Sequence, residues 1–172
     1  TTAAYNDTGA PADGSGRYYQ LVENATGAAQ QTSSVNRGYR IAAIYSVTIT
    51  TAGDIEYGFV PLSNSTTTLN GYTKTAQNDG NTTEKLNVKS SNATGGSGWT
   101  LASTVADNQF KHEFSTTTGA VWSVMPDSVT YVTASPSVAV SATVNFDFRL
   151  TAPSASDYQA KSITITVQAV AP

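Results

Sequence analysis

Apolar residues recur at every second position through much of this chain. From Arg40 to Thr50, Ile41, Ala43, Tyr45, Val47 and Ile49 share one face. From Asp54 to Val60, Ile55, Tyr57 and Phe59 do the same. Alternation of this kind predicts half-buried strands. Thr51-Ala52-Gly53 between the two runs predicts a hairpin. Glu84 to Lys89 alternates through Leu86 and Val88. In Val138 to Leu150, Val144, Phe146, Phe148 and Leu150 point inward, and Thr143, Asn145, Asp147 and Arg149 point outward. After Pro153 and a Ser-Ala-Ser-Asp turn, Tyr158 to Val170 alternates through Ile163, Ile165 and Val167, with Thr164, Thr166 and Gln168 outside.

Shorter apolar runs at Arg17 to Val22, Trp99 to Leu101, Phe110 to Phe114, Val121 to Val124 and Val129 to Thr133 predict further strands. Residues 63–83, rich in Ser, Thr, Asn and Gly, form a long loop or two edge strands around Leu69 and Tyr72. The one stretch with any helical spacing is Val105 to His112. Eight to ten strands with regular turn signals predict an all-β fold: a single immunoglobulin-like or jelly-roll-like antiparallel β-sandwich over residues 17–172. Residues 1–16, which end Gly-Ala-Pro-Ala-Asp-Gly-Ser-Gly, form a flexible N-terminal arm.

Composition sharpens this picture. The chain of 172 residues carries only 12% charged side chains, about half the usual share. Thr and Ser supply roughly a quarter of it instead. Thr is β-branched and suits the outer face of a strand. With a net charge of −3 and no basic run, a nucleic-acid partner is not expected. No apolar stretch is long enough to span a membrane as a helix. The absence of cysteine excludes disulfides and thiolate metal sites. The start at Thr1-Thr2-Ala3-Ala4 fits a mature chain released from a secretion signal, so an extracellular or cell-surface location is expected.

Little here points to catalysis, and no cofactor is expected. The single histidine, His112, reads as a surface or loop residue. Asp54 and Glu56 share a strand face, but read as the solvent side opposite Ile55 and Tyr57. Asn78-Asp79-Gly80-Asn81 resembles part of a calcium loop without its full ligand series, and reads as a turn. Tyr5, Tyr18, Tyr19, Tyr72, Trp99 and Trp122 could build a sugar-stacking platform, with the tryptophans placed in the core by their strand positions. Asn6, Asn24, Asn64, Asn81 and Asn92 each open an N-x-[ST] sequon in a loop, linker or strand end, and are candidate N-glycosylation sites.

Two stretches carry a family resemblance. Ile55-Glu56-Tyr57-Gly58-Phe59-Val60, Glu84 to Lys89 and Trp99-Thr100-Leu101 resemble a layout of prokaryotic Ig-like surface domains. Val144 to Pro153 followed by Tyr158 to Val167 resembles the closing hairpin of pilin-like and matrix-fibre subunits. Together they cover about half the chain. The families are the TasA-type biofilm fibre proteins and the archaeal bundling-pilus and thread subunits. The resemblance implies a homopolymer built by donor-strand complementation, in which an extended segment of one copy fills an open sheet edge of the next. Thr1, Thr2, Ala3, Ala4 and Tyr5, ahead of the Gly-rich hinge, are the candidate donor segment. Trp99-Thr100-Leu101 also resembles the WxL cell-wall-binding domains, which implies the alternative of a secreted module for surface glycans or cell walls.

Overall fold

The computed structural model describes residues 42–68 and 71–172 in full, and the strands Arg17–Asn24 (β1) and Thr32–Tyr39 (β2) by their backbone pairing. The arm 1–16 with its donor segment, Asn6, Leu69, and the side chains of Tyr18, Tyr19 and Asn24 lie outside the described residues. β1 and β2 form an antiparallel ladder of their own, from Arg17 opposite Tyr39 to Asn24 opposite Thr32.

The other strands are β3 (Val47–Ile49), β4 (Ser65–Thr67), β5 (Lys74–Asn78), β6 (Glu84–Ser90), β7 (Thr100–Leu101), β8 (Gln109–Ser115), β9 (Ser123–Met125), β10 (Val132–Val138), β11 (Thr143–Thr151) and β12 (Ile165–Val170). They make a small sheet, β10-β6-β12, and a large one, β3-β5-β11-β8-β7, with β4 on β11 and β9 on β8. The described residues contain no helix. The two sheets share one core, so the fold is all-β with the layering of a β-sandwich. β6 brings Leu86 and Val88 from the small sheet. β8 and β11 bring Phe110, Phe114, Phe146, Phe148 and Leu150 from the large one. The sheets are not wholly antiparallel, because β7 runs parallel to β8.

The clearest alternations become the central strands. β6 buries Glu84, Leu86, Val88 and Ser90 on its inner face, and β11 buries Phe146, Phe148 and Leu150. Several expectations are corrected. Val105 to His112 is not helical: Phe110, His112 and Phe114 alternate, and that period of two builds β8. The hairpin of Arg40 to Thr50 with Asp54 to Val60 does not form. Of its described residues, 42–50, only Val47–Ile49 is a strand, and β5 takes its hydrogen-bonding edge. The long 63–83 segment supplies β4 and β5, on either side of the expected centres. Strand β12 begins at Ile165, and Tyr158 before it is exposed. Asp147 does not face solvent. It is buried on the outer side of β11, where Thr73 Oγ1 donates to its carboxylate at 2.5 Å. Next to it, Arg149 clamps Glu113 with two hydrogen bonds of 2.7 and 2.8 Å and lies over the Trp122 ring at 4.6 Å.

Candidate functional site: an open groove between the sheets

The sandwich is open along one side. β12 pairs only with β6, and β3 only with β5, so each leaves an edge free of ladder partners among the described strands. The two strands approach each other across this side. A groove runs there, floored by Phe146, Phe148 and Leu150. Residues 53–62 form one wall, and residues 157–167 form the other.

The first wall is unusual. Ile55, Tyr57 and Val60 pack against the core, and Asp54 and Glu56 are exposed, as in a strand. Yet among the described residues no hydrogen bond is made by a backbone group of residues 54–60. The segment is anchored at both ends. Lys74 Nζ donates to the carbonyls of Ala52 and Gly53 at 3.1 and 2.6 Å, and Ser63 N–H donates to the Pro153 carbonyl at 2.9 Å. Gly58 sits at φ +66°, a left-handed conformation natural to glycine. That twist interrupts the alternation, and Phe59 stands 86% exposed. On the opposite wall Tyr158 is 84% exposed.

The segment is pinned at its centre by His112. The expectation that His112 lies at the surface or in a loop is corrected: it is wholly buried, between Phe110 and Phe114 on the inner face of β8. Its Nδ1 is 2.7 Å from Ser90 Oγ on β6, and its Nε2 is 2.7 Å from the Tyr57 hydroxyl. One imidazole thus ties both sheets to the groove wall. A neutral ring offers one donor and one acceptor, and each hydroxyl can supply the complement. Burial drives the His112 pKa down to about 3, against a smaller upward pull from Glu113, and burial raises that of Tyr57. Ser90 is also wholly buried, so this chain of polar groups joins elements within the core. Sequence reasoning missed it. The usable signal was the spacing Phe110-x-His112-x-Phe114, which places the histidine on a core face.

The other sequence candidates separate. Asp54 and Glu56 are exposed on the groove wall, facing away from the core. The Asn78-Asp79-Gly80-Asn81 segment is a knotted turn. Asn78 Nδ2 donates to the carbonyls of Thr82 and Val138, both at 2.9 Å, and its Oδ1 accepts from Gly80 N–H at 2.9 Å. Asp79 accepts from Thr48 Oγ1, and the hydroxyls of Thr48 and Ser46 hold its carboxyl below the usual range. Glu84, wholly buried, accepts from Ser46 N–H at 3.0 Å, and burial raises its pKa. Among the described residues no cluster of three or more acidic, His or Cys side chains is placed to hold a metal.

Of the aromatic residues, Trp99 is half-buried against the core, donates to Ser156 Oγ at 2.6 Å and lies 5.6 Å from Lys161 Nζ. Trp122 is half-buried outside the core, beneath Arg149. Tyr72 is 38% exposed. Of the sequons, Asn64 and Asn92 are exposed. Asn81 is half-buried, with its amide bonded to Ile44 N–H and the Ala42 carbonyl at 2.8 and 3.0 Å. Asn24 ends β1. No protein-family model, curated protein or solved structure matches this chain.

Proposed function

We propose that this protein is a structural subunit of an extracellular filament, a pilus-like or biofilm-matrix fibre, in which copies join by donor-strand complementation. The single observation that supports this most is the groove. It runs between two sheet edges above the buried Phe146, Phe148 and Leu150, its walls expose the rings of Phe59 and Tyr158, and one of those walls has strand-like alternation without a ladder. An open edge beside an apolar cleft is a liability for a lone protein and a docking site for an extended chain. A strand laid there would gain main-chain hydrogen bonds, each worth ~1 kcal/mol net. The residues assigned as donor are Thr1 to Tyr5, with Tyr5 as the one large side chain. An immunoglobulin-like or jelly-roll-like topology, a secreted location and glycans on the exposed sequons belong to the same reading.

A second reading draws on the exposed rings of Phe59 and Tyr158 along the groove walls. Flat aromatic faces stack on sugars, so the groove would then serve a carbohydrate- or cell-wall-binding module. Electron microscopy of the purified chain separates the two. Long regular fibres are the expected result. A monodisperse monomer that co-sediments with cell walls or polysaccharide would replace the filament with the binding module.

A further inference from the structure

Glu84 is the first residue of β6 and lies on its inner face, wholly buried. Its Oε2 accepts from Ser46 N–H at 3.0 Å, and its Oε1 is buried with no hydrogen-bond partner. Among the described residues it is the one carboxyl oxygen in that condition; the other unpartnered oxygens belong to the amides of Asn87 and Asn108. Buried polar atoms without partners are rare in folded proteins, and an ionised carboxyl left bare is costlier than an amide.

A second carboxylate stands beside it. Asp79 N–H donates to the Ser46 carbonyl at 3.0 Å, and the Asp79 carboxylate takes the hydroxyls of Thr48 and Ser46. Ser46 therefore touches both acids. Burial raises the Glu84 pKa, the Ser46 N–H opposes this, and the charge of Asp79 adds to the rise. No side-chain cation offsets the two acids. Glu113 has Arg149 and Lys111, and Asp157 has Lys161, but Glu84 and Asp79 form no ion pair among the described residues. The frame around them is close-packed. Asn81 N–H donates to the Ile44 carbonyl at 3.1 Å, and a Cβ on Gly80 would lie 2.2 Å from that same oxygen, so the turn sits directly on residues 44–46.

Two unbalanced carboxylates call for a proton or a metal ion. A proton on Glu84 Oε1 would remove its charge but would be a donor with no acceptor, because that oxygen has no partner of either kind. A cation answers both needs. The donors are all oxygens, from carboxylates and hydroxyls, which suits a hard divalent ion and not zinc or copper.

We propose that Glu84 Oε1 and the Asp79 carboxylate, with the Ser46 hydroxyl beside them, bind one calcium-type divalent cation. Exposed Asp79 is the entry side and buried Glu84 the inner ligand, and water completes a shell of roughly six to eight oxygens. Within the Asn78 to Asn81 turn only Asp79 contributes, and the second acid comes from β6. With two carboxylates the site belongs to the weak class, with a dissociation constant of about 0.1–1 mM. Asp79 follows β5 of the large sheet and Glu84 opens β6 of the small one, so the ion staples the two sheets at this end of the sandwich. None of these residues lines the groove, so the inference stands apart from the filament reading.

Thermal melting of the full chain, first in EDTA and then in calcium chloride at constant ionic strength, tests this. Calcium at about 5 mM is expected to raise the melting temperature by about 3 °C. Glu84→Gln keeps the shape and removes the charge, and is expected to lose that shift. Asp79→Asn, at an exposed position, is the second variant and is expected to lose it as well. A parent with no shift up to about 10 mM calcium leaves Glu84 to a proton and overturns the inference. A shift that survives in either variant places the ion elsewhere and overturns it too.

Discussion

His112 concentrates the most chemistry of any single residue here. It is neutral because its surroundings are apolar rings, Phe110 and Phe148 at 6.2 and 5.8 Å between centroids, with Tyr57 edge-on at 5.8 Å. A histidine buried neutral binds its proton only below about pH 3, whereas in the unfolded chain it does so below about 6.5. Between those values the unfolded state holds more protons, so stability rises with pH across the window and is complete above about 6.5. Glu113 and Asp157, whose carboxyls are held low by Arg149 and Lys161, act below their ordinary values near 4.5 and 3.8. Glu84 acts with the opposite sign, since its raised pKa favours the acid side. The fall in stability from pH 6.5 to 4.5 therefore belongs to His112. In urea titrations the parent is expected to weaken across that window. His112→Phe is expected to be less stable at pH 7 by about 2 kcal/mol, because two hydroxyls lose their partner, and to show a flat or inverted slope. A variant that keeps the parental slope would assign the titration to another group. The residue read as a surface or loop position because no catalytic motif surrounds it in the sequence. The phenylalanines two places on either side were the better guide.

At the scale of elements, legibility followed how strictly one face is buried. β6, β8 and β11 carry alternating apolar residues over a full strand length and are central in their sheets, so the pattern and the packing agree. The segments that misled are those whose burial is incomplete. Arg40 to Thr50 looked like a long strand, yet Ile44, Tyr45 and Ile49 are exposed in the structure, and of the described residues 42–50 only Val47–Ile49 enter a ladder. Asp54–Val60 looked like its hairpin partner and joins no ladder among the described strands. β5 was the opposite case. Lys-Thr-Ala-Gln-Asn hardly reads as a strand, but β3 and β11 flank it and Asn78 ends it with a clasp. Asn78 is wholly buried and its side chain satisfies the Val138 and Thr82 carbonyls and the Gly80 amide. Asn78→Ala removes the buried bond to the Val138 carbonyl and the part-buried bonds to Thr82 and Gly80, a cost of about 3 kcal/mol. Asn145→Ala, on the exposed side of β11, is expected to stay within about 0.5 kcal/mol of the parent. Urea midpoints of the two variants settle the comparison. Equal losses would mean that the clasp is not what holds the end of β5.

For the whole molecule, the filament proposed above needs one terminus to be exchanged between copies. The C-terminal strand has the cleaner alternation and is the natural rival to the N-terminal arm. Its place in the fold argues against it. β12 pairs with β6 from Ile165 opposite Ser90 to Val170 opposite Lys85, and Ile165, Val167 and Ala169 pack against the core. Donating it would strip one edge of β6 and uncover Leu86 and Val88, which are wholly buried. At ~25 cal/mol per Å² of apolar surface, such exposure removes several kcal/mol from a protein of ordinary stability. The arm carries no such burden in the reading proposed above, where its partner is the next copy. The two ends should therefore respond differently to truncation. Removal of residues 163–172 is expected to abolish the cooperative unfolding transition. Removal of residues 1–10 is expected to keep that transition and abolish fibres, leaving a folded subunit with an unfilled groove, and Tyr5→Asp is expected to act in the same direction. Calorimetry reads the first property and electron microscopy the second. Normal fibres from the chain lacking residues 1–10 would exclude the arm as donor, and exchange of β12 would then require β6 to find the strand of a neighbour in place of its own.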